Sequence, residues 1–220
     1  MNAVLNQQII ETYRRRARRY DFTANLYYLV GYREWAYRRK AVEALQLQPG
    51  DTVVEIACGT GLNFSLYQKA IGPQGKIIGL DLTDAMLAQA QQRIEEKGWS
   101  NVELVHLDAR DYNFPAGVNA IISTFALSLI PESDRVLERA VEVLAPGGRL
   151  ALLELQIPAK WPGWMAKAGV WLMKPFAVTD EWLNRRPWET IQQTMRLKLT
   201  EVSVTEKYLG LTYIIAGRKA

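Results

Sequence analysis

The chain has 220 residues, of which 49% are hydrophobic and 23% are charged, and this balance predicts one soluble globular domain spanning residues 1–220. Its only cysteine, Cys58, and its only histidine, His106, exclude an intrachain disulfide framework and a metal site built from several thiolates or imidazoles. The net charge of +4 is uneven, because residues 1–40 carry nine basic and three acidic residues, whereas the other 180 carry 18 and 20.

The N-terminal residues 1–45 are predicted to form helices, a basic one over 12–20 and an aromatic-rich one over 22–39 with a joint at Gly31. The run Arg14–Arg19 holds five arginines in six positions. Three interpretations of this run stay open: contact with an anionic membrane surface or an anionic substrate, a solvated helix face, and RNA binding. Nucleic acid is the least favoured partner, because the charge is local and the rest of the chain is mildly acidic.

No stretch has the features of a secretory signal or of a membrane-spanning helix. The longest uncharged stretch, residues 112–131, is broken by Pro115 and Gly117. We therefore expect a cytoplasmic protein, peripheral on a membrane if the arginine run binds lipid. The sequence indicates no oligomeric state.

Apolar, strand-like runs alternate with helical segments between residues 50 and 155. The predicted strands are Thr52–Ala57, Lys76–Leu80, Val102–Leu107, Val118–Ser123 and Arg149–Leu155. The predicted helices are Asn63–Ala70, Asp84–Lys97 and Ser133–Leu144. Near-continuous apolar strands that alternate with helices are typical of a parallel sheet covered on both faces.

The C-terminal part departs from this alternation. Glu201–Lys207 and Tyr208–Ala216 are strand-like with almost no residues between them, which predicts an antiparallel hairpin on the sheet edge. We therefore expect an α/β fold, Rossmann-like and doubly wound, with a mostly parallel seven-stranded sheet. The expected parts are a helical lid (1–45), a cofactor-binding core (50–155), a Trp-rich insertion (158–199) and the hairpin (200–217).

The strongest chemical signal is the strand Val53–Ala57, which runs into a turn containing Gly59 and Gly61. Glycines there let a ligand approach the backbone closely, at the strand ends where open α/β sheets bind ligands. Asp81 ends the next strand, 20 residues after Gly61, and a carboxylate at that place can accept both hydrogen bonds of a ribose diol. Asp108 follows the third strand, where it could meet an adenine amino group.

The alternatives to a nucleoside site are helix capping and a different cofactor. Asp81 could cap the helix that begins near Asp84. An NAD site is disfavoured, because Phe64 occupies a place where a dinucleotide fold has its third glycine, and no phosphate-binding P-loop motif is present.

These residues together resemble the class I S-adenosylmethionine (SAM)-dependent methyltransferases over residues 50–155. Glu55–Gly61 is similar to the glycine motif of that family, with Ala57 at its first glycine, and Leu144–Leu150 is similar to the turn before its fifth strand. The resemblance implies SAM as cofactor. It implies these cofactor-binding residues: Glu55, Ala57, Cys58, Gly59, Thr60, Gly61, Asp81, Leu82, Met86, Asp108, Ala109, Ser123 and Phe125.

Within this class, the chain looks most like the ubiquinone/menaquinone C-methyltransferases. Tyr20-Asp21, Gly31, Arg33 and Trp35 resemble their N-terminal motif, and Ser123–Leu127 resembles their segment after strand four. Ser128 differs, because that group usually has arginine there. The resemblance implies a small lipophilic acceptor, either a quinone precursor or a lipid-like molecule. The alternatives are an RNA methyltransferase, a non-catalytic methyltransferase-like binding protein and an NAD-linked oxidoreductase.

Methyl transfer from a sulfonium needs a general base only if the acceptor must lose a proton, so positioning and exclusion of water are the main tasks of the protein. Tyr20, Tyr28 and His106 are the candidate catalytic groups, although a packed, hydrogen-bonded His106 is the favoured interpretation. No metal is expected. Five of the seven tryptophans fall between Trp161 and Trp188, which indicates a lid helix, the roof of an apolar pocket, or a membrane contact.

Overall fold

The computed structural model describes residues 10–14, 17, 31–173 and 178–220. Its centre is a seven-stranded sheet with the order β3-β2-β1-β4-β5-β7-β6. The strands are β1 (Thr52–Ile56), β2 (Lys76–Asp81), β3 (Val102–His106), β4 (Val118–Thr124), β5 (Leu144–Leu155), β6 (Thr200–Lys207) and β7 (Thr212–Arg218). The first five are parallel, and β7 runs antiparallel between β5 and β6. The predicted Rossmann-like sheet with a terminal antiparallel hairpin is confirmed.

Helices cover both faces of the sheet. They are α1 (Glu34–Glu43), α2 (Phe64–Ile71), α3 (Asp84–Lys97), α4 (Ser133–Val143), α5 (Gly163–Met173), α6 (Asp180–Arg185) and α7 (Pro187–Lys198). One apolar cluster packs α4 and α7 on one face, and a second packs α1, α2 and α3 on the other. The central strands are therefore buried on both sides, which explains why their sequences are continuous apolar runs.

The junction of α4 and β5 differs from the prediction. The helix ends at Val143, and the strand begins at Leu144 rather than at Arg149. Neighbouring backbone explains the longer strand, since Gly117 N–H donates to the Val143 carbonyl at 2.8 Å and Leu144 pairs with Val118. Gly147 and Gly148 then exchange backbone hydrogen bonds with Lys219.

The second strand of the C-terminal hairpin begins later than predicted, because a turn precedes it. Tyr208–Gly210 forms a 3-10 turn, and β7 begins at Thr212. Tyr208 and Leu209 both have positive φ, at 44° and 57°, and residues in that region cannot continue a strand. The prediction of a strand from Tyr208 was therefore wrong at its start.

The predicted N-terminal helices lie only partly within the described residues. Residues 10–14 are helical, and α1 begins three residues after Gly31. Most of the run Arg14–Arg19, with Tyr20 and Tyr28, falls outside the described residues. In the described part of the chain, no helix is both long and apolar enough to cross a bilayer.

Candidate cofactor site

The turn after β1 has three left-handed residues at alternate positions. Ala57, Gly59 and Gly61 have φ values of 55°, 56° and 71°. Such a conformation strains a residue that has a Cβ atom by roughly 1–2 kcal/mol, so Ala57 is accepted there at some expense of stability. The turn reverses the chain at the carboxyl end of β1 and leads into α2.

Phe64 fills the space beneath this turn. Its ring is fully buried, and a Cβ atom added at Gly61 or at Gly79 of β2 would lie 2.7 Å from it. The close approach of α2 to the sheet is therefore achieved by a phenyl ring fitted against two glycines. Cys58 packs in the same space, where burial raises the pKa of its thiol well above the ordinary value. A neutral, enclosed thiol supports a packing role.

Asp81 is held at the end of β2, 8% exposed, with its carboxylate aimed at the turn. One oxygen accepts the Gly59 N–H and the other the Thr83 N–H, both at 2.8 Å. Beside these bonds and the contribution of the Thr83 side chain, the carboxylate keeps acceptor capacity for a ribose diol. Burial raises the pKa of Asp81, and the two backbone hydrogen bonds oppose that rise. The carboxylate does not cap α3 in the usual way, since its bond is to Thr83, the residue before the helix.

A pocket opens beside Asp81, at the carboxyl ends of β1 to β4. Its walls are Tyr13, Ala57, Gly59, Leu80, Asp81, Leu82, Thr83, Met86, Leu107, Asp108, Ala109, Thr124, Phe125, Ala126, Leu129, Ile130 and Pro131. Eight predicted cofactor residues are among them: Ala57, Gly59, Asp81, Leu82, Met86, Asp108, Ala109 and Phe125. Most of the walls are apolar with one buried carboxylate, an arrangement that suits a nucleoside.

The other five predicted residues lie behind the lining: Glu55, Cys58, Thr60, Gly61 and Ser123. Ser123 is fully buried, and its hydroxyl has no hydrogen-bond partner in the described structure. The next residue, Thr124, lines the pocket instead. Side chains alternate between the two faces of a strand, so neighbouring positions on β4 face different surroundings.

Asp108 is paired within its own loop. Its carboxylate accepts two hydrogen bonds from the Arg110 guanidinium, at 2.7 and 3.1 Å, and one from the Arg110 backbone N–H. This arrangement fixes the carboxylate at the pocket wall. Contact with an adenine amino group stays a prediction for this residue.

A buried polar network connects α1 to the glycine turn. Asn63 donates to Glu55 at 2.5 Å, and Arg38 donates to Asn63 at 3.3 Å and to Thr124 at 2.7 Å. Burial raises the pKa of Glu55 to about 7, against the opposing effects of Asn63 and Arg38. The Arg38 guanidinium also forms an ion pair with Glu34 at 2.8 Å. Glu55 therefore orients the turn through Asn63, and the network reaches the pocket at Thr124.

The pocket wall after β4 is held from two sides. The fully buried Glu154 accepts hydrogen bonds from the Ala126 and Leu127 N–H groups, at 3.1 and 2.8 Å, and from the Ser128 hydroxyl at 2.8 Å. From the insertion, Arg185 donates to the Ser128 carbonyl at 2.7 Å and to a second carbonyl two residues on. The insertion thus holds the same loop that Glu154 supports from β5.

We expect Glu154→Gln to flatten the dependence of stability on pH. Burial raises the pKa of Glu154 to about 7 from 4.5, so the folded protein holds this proton where the unfolded chain releases it. The contribution of Glu154 to stability is therefore greatest below about pH 4.5 and falls towards pH 7, by on the order of 3 kcal/mol. Denaturant unfolding between about pH 5 and pH 8 measures the effect.

Glu55 titrates in the same range, so Glu154→Gln should remove about half of the slope. Glutamine keeps the oxygen that accepts the Ala126 and Leu127 N–H groups, which preserves the loop. An unchanged slope in the variant would show that Glu154 is ionised throughout this range.

The candidate catalytic groups are placed unevenly. His106 is exposed rather than packed, because β3 is an edge strand, and its Nε2 lies 3.0 Å from the Leu82 carbonyl. It does not line the pocket. Among the tyrosines that the structure describes, the one that lines the pocket is Tyr13, which the sequence analysis did not single out. Its neighbour Arg14 forms a two-point ion pair with Asp84, at 2.8 and 2.9 Å, and this contact brings the N-terminal segment to the pocket.

The described residues contain no group of three or more metal-ligating side chains.

Comparison with known proteins identifies a family over most of the chain. The model of the ubiE/COQ5 methyltransferase family matches residues 1–167. A demethylmenaquinone methyltransferase of Listeria welshimeri is 32% identical over 129 residues, and an arsenite methyltransferase of Halobacterium salinarum is 33% identical over 121. The first match covers 58% of this chain and 54% of the relative, and the second covers 53% and 30%. The chain thus spans about half the length of the demethylmenaquinone methyltransferases it matches.

Solved structures show the same fold at low identity. A SAM-dependent methyltransferase from Aquifex aeolicus matches with a TM-score of 0.59 at 19% identity, over 83% of this chain and 89% of that one. A Haemonchus contortus phosphoethanolamine N-methyltransferase, solved with S-adenosylhomocysteine, matches with a TM-score of 0.63 at 14% identity, over 84% and 52%. These likenesses support the fold alone.

Proposed function

Since the chain belongs to the ubiE/COQ5 methyltransferase family, among the class I SAM-dependent methyltransferases, we propose that it transfers a methyl group from SAM to a small lipophilic acceptor. The observation that carries the proposal is the placement of Asp81. Its buried carboxylate keeps acceptor sites open beside an apolar pocket at the strand ends. SAM supplies an activated methyl group on a sulfonium, so the protein has mainly to bind, orient and exclude water.

The pocket residues divide the work of holding SAM. Asp81 would accept hydrogen bonds from the ribose, and Met86 and Ala109 would pack against the adenine beside Asp108. Gly59 would leave room for the cofactor, because nothing lies within 4 Å of a Cβ atom added there.

The acceptor we favour is a quinone precursor, with a lipid-like molecule as the wider class. The curated demethylmenaquinone methyltransferases support it, as does the apolar wall of Phe125, Leu129, Ile130 and Pro131. Ser128 stands where the related group usually has arginine. Its hydroxyl donates to Glu154, and it has no positive charge that could contact the acceptor. If the acceptor must lose a proton, the Tyr13 side chain lies in the pocket wall and is the candidate to receive it. His106 does not line the pocket, so we give it no catalytic role.

Other acceptors have less support. The arsenic(III) of arsenite is a soft centre that thiolate ligands bind well, and this chain has one cysteine, buried and with a raised pKa. RNA binding would rest on Arg14–Arg19, of which Arg14 is already paired with Asp84.

The proposal is tested by incubating the protein with methyl-labelled SAM and reduced demethylmenaquinone dispersed in detergent. We expect the label to enter the lipid-soluble product, and an Asp81→Ala variant to lose this transfer. Parallel reactions with arsenite and with total RNA distinguish the alternatives. Label in the RNA fraction, or none in any fraction although SAM binds, would contradict the proposed acceptor class.

A further inference from the structure

Helix α5 carries two tryptophans on one exposed face. Trp164 and Trp171 are each 70% exposed, and a spacing of seven residues places them two turns apart on the same side of the helix. Lys167 and Ala168 lie between them and are also exposed. Among the described tryptophans, no other is more than half exposed. The fold therefore leaves two large amphipathic rings in solvent.

The opposite face of α5 already anchors the helix. Ala166 and Val170 are buried, at 7% and 1% exposure. Under the helix is a cavity of about 250 Å³ whose lining includes Trp182, Met165 and Leu155 and is almost entirely apolar. Packing thus accounts for one side of the helix and gives no reason for the tryptophans on the other.

The charge along the segment that contains this face is of one sign. Residues 156–179 contain three lysines and no acidic residue, and acids resume at Asp180 and Glu181 in α6. Tryptophans with interspersed lysines favour the headgroup region of a membrane, where the rings reach the acyl boundary and the ammonium groups meet anionic lipid.

The cavity under helix α5 is linked to the wall of the candidate cofactor site through the end of β5. Glu154, the next-to-last residue of β5, holds the pocket wall at Ala126 and Leu127, and Leu155, which ends the strand, lines the cavity under α5. A membrane docked at α5 would therefore contact a helix whose underlying cavity adjoins the residue that supports the pocket wall.

We propose that the α5 face formed by Trp164, Lys167 and Trp171 docks the protein on an anionic phospholipid surface. The purpose of this docking rests on the proposed function, whereas the docking itself does not. It differs from a contact through Arg14–Arg19, because Arg14 is turned to Asp84 by a two-point ion pair.

The test is co-sedimentation with vesicles of phosphatidylcholine alone and of an equal mixture with phosphatidylglycerol, without SAM or acceptor. We expect binding to the anionic vesicles, and Trp164→Ala/Trp171→Ala should lower the partition coefficient about tenfold or more. Lys167→Gln should lower it about fivefold, on anionic vesicles only. The matched control is Leu197→Ala/Leu209→Ala, which removes side chains 73% and 82% exposed elsewhere and should change nothing.

Each other outcome has a definite meaning. Equal binding by the tryptophan variant, or loss of binding only when Arg15, Arg16, Arg18 and Arg19 are replaced by glutamine, would overturn the proposal. If the wild-type protein does not bind vesicles but forms a dimer that the tryptophan variant cannot form, the face is a contact between two copies of the chain, and the proposal is overturned. The tryptophan variant should still transfer the methyl group to an acceptor dispersed in detergent. If the wild-type protein binds anionic vesicles but transfers no methyl group, only the proposed function is rejected.

Discussion

Asp81→Ala is expected to weaken SAM binding by about 100-fold or more, because hydrogen bonds to a charged group contribute roughly 1.5–3 kcal/mol each and the ribose diol would lose two. The variant also removes the acceptors of the Gly59 and Thr83 N–H groups, which loosens the turn that the cofactor would contact. Isothermal titration of SAM into the wild-type protein and the variant measures the change.

The control is Asp111→Ala, an exposed acid in the loop after β3 that does not line the pocket. It should bind SAM as the wild-type protein does. Denaturant unfolding of both variants separates lost binding from lost fold. An Asp81→Ala protein that is folded and keeps its affinity would show that the carboxylate does not hold the ribose.

Gly61→Ala is expected to lower the free energy of unfolding by about 2–4 kcal/mol. The added methyl group would lie 2.7 Å from the Phe64 ring, and overpacking of this kind typically costs about 1–3 kcal/mol. The left-handed backbone at φ 71° adds roughly 1 kcal/mol. The ring has little room to move, because it is also fitted against Gly79. Denaturant unfolding gives the value directly.

Gly59→Ala is the matched variant, with φ 56° and open space around the added Cβ atom. It should cost only about 1 kcal/mol of stability. Its methyl group would project where the cofactor approaches, so SAM affinity should fall more than stability does. Equal losses of stability in the two glycine variants would mean that Phe64 yields, and that the ring does not determine the packing of α2 on the sheet.

The sheet and the cofactor edge could be predicted because they follow from short-range patterns. Apolar runs fixed the five parallel strands, and the 20-residue spacing from Gly61 placed Asp81 opposite the turn. The choice of Ser123 rather than Thr124 shows the limit of this reasoning. β4 is buried on both faces, so its sequence carries no alternation from which to decide which residue faces the pocket.

The rest depends on contacts between distant residues. Tyr13 lines the pocket next to the ion pair between Arg14 and Asp84, two residues that are 70 positions apart in the sequence. Glu154 supports a loop that lies more than 25 positions before it in the sequence. No local spacing predicts either pairing. The exposure of His106 follows from strand order, since only the completed sheet makes β3 an edge.

The most direct measurement is isothermal titration of the wild-type protein with SAM and, separately, with NAD. The pocket offers one buried carboxylate, that of Asp81, which we propose to bind the ribose, and Phe64 stands where a dinucleotide fold has its third glycine. We predict one SAM site per chain, lost in Asp81→Ala, and no detectable binding of NAD. Binding of NAD more tightly than SAM, or no binding of SAM at all, would contradict the assignment of this site.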